Sequence, residues 1–196
     1  MMASKTNAAA LALALLYAVP AAAGWKVVDP ARVAVAQSTL TVMPDAGWNR
    51  WTVKPIKKEE RWSLDGPLLN RMSFYGGIAQ GEPLAREAHK KRDPLPKFDA
   101  TMRVTDVAEL LERTIRITEN APDFVTEMVE PAPFAGQPGF RLRYRYTSGE
   151  LVRRGEARGR IVGGKLYMIA FNAPAVHYFD AGLPRATAIM DSARIG

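Results

Sequence analysis

Between Gly139 and Arg160 the chain reads GFRLRYRYTSGELVRRGEARGR, with arginines at 141, 143, 145, 153, 154, 158 and 160. A guanidinium holds its donors in a fixed fork that matches phosphate or carboxylate. Arg141, Arg143 and Arg145 stand at every second position. On an extended chain they share one side, and Leu142, Tyr144 and Tyr146 share the other. Two readings fit: an anion-binding face, or the solvated face of a half-buried strand balanced by Glu150 and Glu156. Apolar-in, charged-out alternation is what any such strand shows, which favours the solvated face.

Other groups offer less. The basic run His89-Lys90-Lys91-Arg92, with Lys97 nearby, would draw acidic partners through its field, though a solvated loop is the reading it favours. His177 lies near Asp180, with Ser192 further on, so a serine, a histidine and an acid can be named. The GxSxG turn that would make that set specific is missing. The two histidines lack HExxH spacing, which leaves a metal site without a ligand pattern. Glu109, Glu112, Glu127 and Glu130 form no acid–base pair that spacing would single out. Gly76-Gly77 and Gly163-Gly164 begin no phosphate loop. Trp25, Trp48, Trp51 and Trp62 suit a sugar or apolar-ligand platform, or more ordinarily a core.

The elements that must position these residues begin after an opening segment. MMASKTNAAALALALLYAVPAAAGWK has a basic start at Lys5, an apolar run from Ala8 to Val19 and a small-residue exit at Ala21-Ala22-Ala23. That is a secretory signal in form, with cleavage expected near Ala23, and the run is too short to cross a bilayer. Residues 1–23 hold one cation and no acid, so their removal takes the net charge from +7 to +6. The expected mature chain, 24–196, suits one domain and carries no transmembrane anchor. With no cysteine in the sequence, disulfides, thiol catalysis and cysteine–zinc sites are excluded.

VAVAQSTLTV (33–42) alternates as one strand, and PDAGWNRW reads as a turn. Asp65-Gly66-Pro67 suggests a hairpin with strands near 60–64 and 68–75, closed by Gly76-Gly77. Residues 79–98, with Pro83, Pro94 and Pro96, read as a long surface loop, with room for a short helix over 84–91. TDVAELLERTIRI is the clearest helix, with Asp106 as cap and Glu109 three positions on. A strand is expected near 123–130, then a Pro/Gly-rich loop, PAPFAGQPG. Two strands turning at Ser148-Gly149 follow, and then LYMIAFNAP, apolar enough to be covered on both faces. A closing helix runs from His177 or Asp180 to Ile195, with Pro184 in its first turn. Strands, helix, four strands, helix: the fold expected is α+β, a single domain with an antiparallel sheet flanked by helices in an α/β/α sandwich.

The segments LDGPLLNRMSFYGGI (64–78), PLPKF (94–98) and GGKLYMIAFNAPAVHYFD (163–180) resemble an uncharacterised family of exported proteobacterial proteins. More distantly, G-K-L-Y followed by A-P and a closing helix is similar to the PsbP-like fold superfamily. That resemblance implies an antiparallel sheet flanked by helices and a binding or assembly role rather than catalysis.

The expectation is a periplasmic or secreted, non-enzymatic accessory or binding protein of the cell envelope, without cofactor. Its surface would be the Arg141/Arg143/Arg145 face or the Lys90/Lys91/Arg92 loop. Its partner would be an acidic envelope protein or anionic head groups, with nucleic acid excluded for an exported chain. A carrier of a small apolar ligand or lipid is the alternative, with a cavity lined by Trp48, Trp62, Phe74 and Tyr167. A hydrolase using His177 ranks third.

Overall fold

The computed structural model describes residues 24–53, 57–87 and 92–196. The expected signal segment and the candidates Lys90 and Lys91 lie outside the described residues. Six short strands come first: β1 (Trp25–Val27), β2 (Val33–Ala34), β3 (Leu40–Val42), β4 (Asn49–Trp51), β5 (Glu59–Ser63) and β6 (Arg71–Ile78). Helix α1 (Val104–Thr118) leads to four long strands, β7 (Val125–Phe134), β8 (Gln137–Ser148), β9 (Leu151–Val162) and β10 (Lys165–Pro174). Helix α2 (Tyr178–Asp191) and β11 (Arg194–Ile195) close the chain. Eight strands form one sheet in the order β1-β4-β5-β6-β10-β9-β8-β7, antiparallel throughout, and β11-β3-β2 form a small second sheet.

Central β10 is buried from Leu166 to Pro174. Its residues alternate between two cores. Ile169 and Phe171 join Trp48, Trp62, Met72 and Phe74 under α2 and the small sheet. Leu166, Met168 and Ala170 join Leu142 and Tyr144 under α1, which brings Val107, Leu110, Leu111 and Ile115 at helical spacing. Each such side chain, fully buried, contributes about 1.5–3 kcal/mol. Of the expected fold, the large antiparallel sheet and the two helices are present. Each helix shares its side with other structure and the sheet dominates.

Several expectations are corrected. The run 33–42 is a tight hairpin, not one strand: Ala36 and Gln37 take left-handed backbone, and the Ser38 hydroxyl donates to Val35 O while accepting from Leu40 N. Gly76-Gly77 do not end β6. They form a bulge, with Gly77 left-handed, and a Cβ on Gly76 would lie 2.2 Å from Ser38 Oγ of the hairpin docked there. PAPFAGQPG is strand except for its turn at Ala135-Gly136. Pro131 and Pro133 are tolerated because β7 is an edge, where a missing N–H breaks no ladder.

Asp106 is not the cap of α1 but sits in its first turn, its carboxylate accepting from the Arg103 N–H. Helix α2 stops at Asp191, freeing Arg194 and Ile195 to pair with β3, and Pro184 falls inside it rather than in its first turn. The presumed loop 79–98 is tied down where described. Pro83 bridges Lys97, and Leu84, Ala85, Leu95 and Phe98 are buried; no helix forms at 84–87.

Strand β9 needs its small residues. A Cβ on Gly155 would fall 2.1 Å from the Tyr144 ring packed over it. Gly155→Ala is expected to cost about 1–3 kcal/mol and lower Tm by about 3–9 °C. The cost should shrink in a Tyr144→Leu background, read by thermal unfolding of the four proteins of the cycle. Equal cost in both backgrounds would contradict the close approach.

Candidate functional site

The two covers are offset across the sheet. The α1 core spans β6 and β8–β10, and the α2 core spans β5, β6 and β10. Two stretches of sheet are therefore left open, on opposite faces and at opposite ends. The arginine stripe occupies one. Arg141, Arg143 and Arg145 lie in register with Arg158, Glu156 and Arg154 of β9, on the α2 side. Two of these facing pairs are like-charged, which alone would destabilise the strands.

Carboxylates offset that repulsion. Arg141 pairs with Glu130 at 2.5 Å, Arg145 with Glu127 at 3.3 Å and Arg154 with Asp180 at 3.2 Å. Arg143 and Arg158 share Glu156, at 3.1 and 2.7 Å, and Arg158 also reaches Asp191 at 2.7 Å. Glu156, assigned from sequence to the solvated side, is in fact 1% exposed. Each of the three arginines reaches a carboxylate, Arg143 sharing Glu156 with Arg158, so the stripe is a lattice of ion pairs rather than a bare cationic surface, although Arg141 Nε and Arg160 Nε have no hydrogen-bond partner among the described residues. Arg153 points to the other face, buried, and donates to Asn172 Oδ1 and Leu68 O.

The remaining candidates do not converge. Arg92 is exposed and pairs with its neighbour Asp93 at 3.0 Å. His177 and Ser192 flank opposite ends of α2, a 14-residue helix, and are thus about 21 Å apart along it. Ser192 Oγ donates to Ile189 O and accepts from Met43 N, while Asp180 is held by Arg154. No Ser–His–Asp relay is formed. His177 is instead the centre of a left-handed γ-turn, φ 67° and ψ −58°, closed by Tyr178 N donating to Val176 O at 2.8 Å. The rings assigned to a carrier cavity pack on one another. Trp62 lies 4.5 Å from Phe74 and 6.4 Å from Trp48, ring to ring, and all three are fully buried.

The second open stretch is concave, and residue spacing did not single it out. On the α1 side, beyond the reach of α1, Trp25 of β1 stands opposite Trp51 of β4 with ring centroids 5.0 Å apart. They join Arg61, Pro67 and Arg71 around a cleft of about 260 Å3. A neighbouring cleft of about 480 Å3 shares Trp51 and Arg61 and adds Arg50, Glu59, Glu60 and Arg86. Trp51 is 37% exposed, whereas Trp48 and Trp62 are at 0%. The signal that separates them is strand parity, visible only once β4 and β5 are in register.

The cations of this region are leashed to acids. Arg61 donates through Nε to Glu59 Oε1 at 2.6 Å, and Arg71 Nη1 pairs with Glu119 at 2.7 Å. Arg50 pairs with Glu60, which also accepts from Trp62 Nε1 and Ala36 N. Behind Arg61 and Arg71 lies a cavity of about 20 Å3 walled by Glu59, Tyr75 and Tyr144. Glu59 Oε2, Arg71 Nε and the Tyr144 hydroxyl have no hydrogen-bond partner among the described residues. Burial raises the Glu59 carboxyl above its ordinary value against the pull of Arg61. Burial, aided by Glu59, pushes Tyr75 up to about 12.

No family model matches the chain, and no curated protein matches it. Among solved structures it is similar to cyanobacterial PsbP (CyanoP) from Synechocystis sp. PCC 6803. The TM-score is 0.57 at 17% identity, over 89% of this chain and 94% of that one. The chain has a PsbP-like fold. LpqN, involved in cell envelope biogenesis of Mycobacterium tuberculosis, gives a TM-score of 0.35 at 13% identity over 87% of this chain and 90% of its own.

Two outcomes follow from the ion pairs. Glu156→Gln leaves Arg143 and Arg158 facing one another without their shared charge and should cost about 1–3 kcal/mol in a denaturant melt. A neutral result would mean the lattice contributes nothing. Glu59, with its raised folded value, stabilises the fold fully below its unfolded value of 4.5 and loses that contribution as pH rises through the folded value. Glu59→Gln should therefore gain stability relative to the parent as pH rises from about 4 to about 8. A difference that stays constant with pH would contradict the shift.

Proposed function

We propose that the chain is an exported, non-enzymatic accessory or binding protein of the cell envelope, akin to the family of exported proteobacterial proteins its segments resemble. It binds through the concave stretch around Trp51. The observation that carries this reading is the placement of two tryptophans at an open, charge-lined cleft while Trp48 and Trp62 fill the core. A half-exposed indole is uncommon away from a contact, because its area is worth most when buried. The dispersal of His177, Ser192 and Asp180 favours binding over hydrolysis. No described helix is long and apolar enough to cross a membrane. The arginine stripe becomes a supporting surface, its charges already matched within the sheet.

The test has two arms. Cell fractionation with amino-terminal sequencing should recover the protein outside the cytoplasm beginning at Gly24; cytoplasmic protein retaining residues 1–23 would overturn export. Crosslinking in the native envelope should give adducts lost on Trp51→Ala and retained in the triple Arg141/Arg143/Arg145→Ser variant. The reverse pattern would return the binding surface to the stripe.

A further inference from the structure

The cleft beside Trp25 and Trp51 has a donor and acceptor pattern that narrows its ligand. Its wall is aromatic and its floor is made of guanidiniums, each tied on one side to a carboxylate: Arg61 to Glu59 and Arg71 to Glu119. The floor is therefore charge-balanced. Just behind it, within the cavity of about 20 Å3, are a buried acceptor, Glu59 Oε2, a buried donor, Arg71 Nε, and a hydroxyl that can do either, Tyr144. The Glu59 side chain is 2% exposed and Tyr144 is 1% exposed, so these are built-in polar groups rather than surface ones. Buried polar atoms left without partners are uncommon and point to a missing group, of solvent or of ligand.

Three ligand chemistries compete. A phosphate or carboxylate would gain from Arg61 and Arg71, but both guanidiniums are already paired, with Glu59 and Glu119, whose negative charge stands behind them. A purely apolar molecule would suit the indoles and strand the polar atoms beneath it. A polyhydroxylated ring satisfies both parts: its C–H face lies on an indole, and its hydroxyls each donate and accept. The inner cavity, lined by Glu59, Arg71 and Tyr144, admits a group of about the size of one hydroxyl, which can both donate and accept. The outer cleft, at about 260 Å3, falls below the range of drug-sized pockets and suits one ring. The adjoining cleft shares Trp51 and Arg61 and adds Glu59 and Arg86, while the Arg50–Glu60 pair that also borders it lies on the Trp62 side of the sheet.

We propose that the Trp25/Trp51 cleft is a saccharide-binding site, with the indoles as stacking platform and the Glu59–Arg61 and Arg71–Glu119 pairs as hydroxyl partners. This rests on the reading of the cleft as the binding surface, but not on export. The purified protein would be titrated calorimetrically with chitohexaose, cellohexaose and maltohexaose, and separately with inorganic phosphate and dodecanoate. Saturable binding of at least one saccharide is expected. It should weaken about tenfold or more in Trp51→Ala, recover in Trp51→Phe, weaken in Arg61→Gln, and stay unchanged in Arg145→Gln on the opposite face. Thermal melts of each variant would show that the fold survives.

Absence of saturable saccharide binding would overturn the proposal. So would binding indifferent to Trp51→Ala, or Trp51-dependent binding of phosphate or dodecanoate in its place. If envelope crosslinks depend on Trp51 while no saccharide binds, the saccharide site falls and the binding reading stands. If saccharides bind without any crosslinked partner or export, the envelope role falls and the site stands.

Discussion

The structure depends on one strand being apolar on both sides. Strand β10 sits in the middle of the eight-stranded sheet with Leu166 to Pro174 buried, so each face above it must be roofed separately. Helix α2 and the small sheet roof one face, and α1 with the segments at 84 and 98 roofs the other. Neither roof is wide enough for the whole sheet. Because they overlap only over its centre, the outer strands are covered once at each end, on opposite faces. The two open stretches are the geometric remainder of that arrangement.

Their chemistries differ because their shapes differ. Strands β7, β8 and β9 run long and side by side, so their open face is a continuous ladder on which long side chains reach their cross-strand and diagonal neighbours. Arginines there find Glu127, Glu130, Glu156, Asp180 and Asp191, and the surface closes on itself electrostatically. At the other end β1, β4 and β5 are short, and β4 pairs with β5 over only two residues before the chain turns away. That early departure leaves a hollow where Trp51, Arg61 and Glu59 meet. Burial of Glu59 and Arg71 is costly there, and the Arg61 and Glu119 partners offset the cost only in part, since three polar atoms remain unmatched.

Much of this was legible in the sequence wherever a single period governed a whole element. Helix α1 announced itself through Val107, Leu110, Leu111 and Ile115, β8 through alternation, β9 through the glycine turns that bound it, and β10 through an almost unbroken apolar run. The failures share a cause: a local signal was read without the neighbour that overrides it. Pro131 and Pro133 break an inner strand but not an edge. Ala36 and Gln37 look like strand interior until Ser38 ties the turn. Arg194 and Ile195 fit a helix until β3 offers an open edge. The site was hidden for the same reason. Four tryptophans of one type divide two and two between core and cleft, and the division follows from which side of β4 and β5 each faces, a property of register and not of composition.

That division also limits what likeness of fold can say. A PsbP-like sheet with a helix on either side supplies the offset roofs and hence the open stretches, but it does not choose the side chains that occupy them. In this chain most arginines of the flat stretch, Arg141, Arg143, Arg145, Arg154 and Arg158, are paired with carboxylates and gain little by leaving them for another partner. The hollow is the reverse case. Its indoles are only partly covered, and the polar atoms beneath Arg61 and Arg71 have nothing to leave. A partner filling it would displace water from apolar area and complete hydrogen bonds that the fold itself leaves open. The arginine-rich segment draws the eye in the sequence. In the folded protein most of its guanidiniums already hold carboxylates.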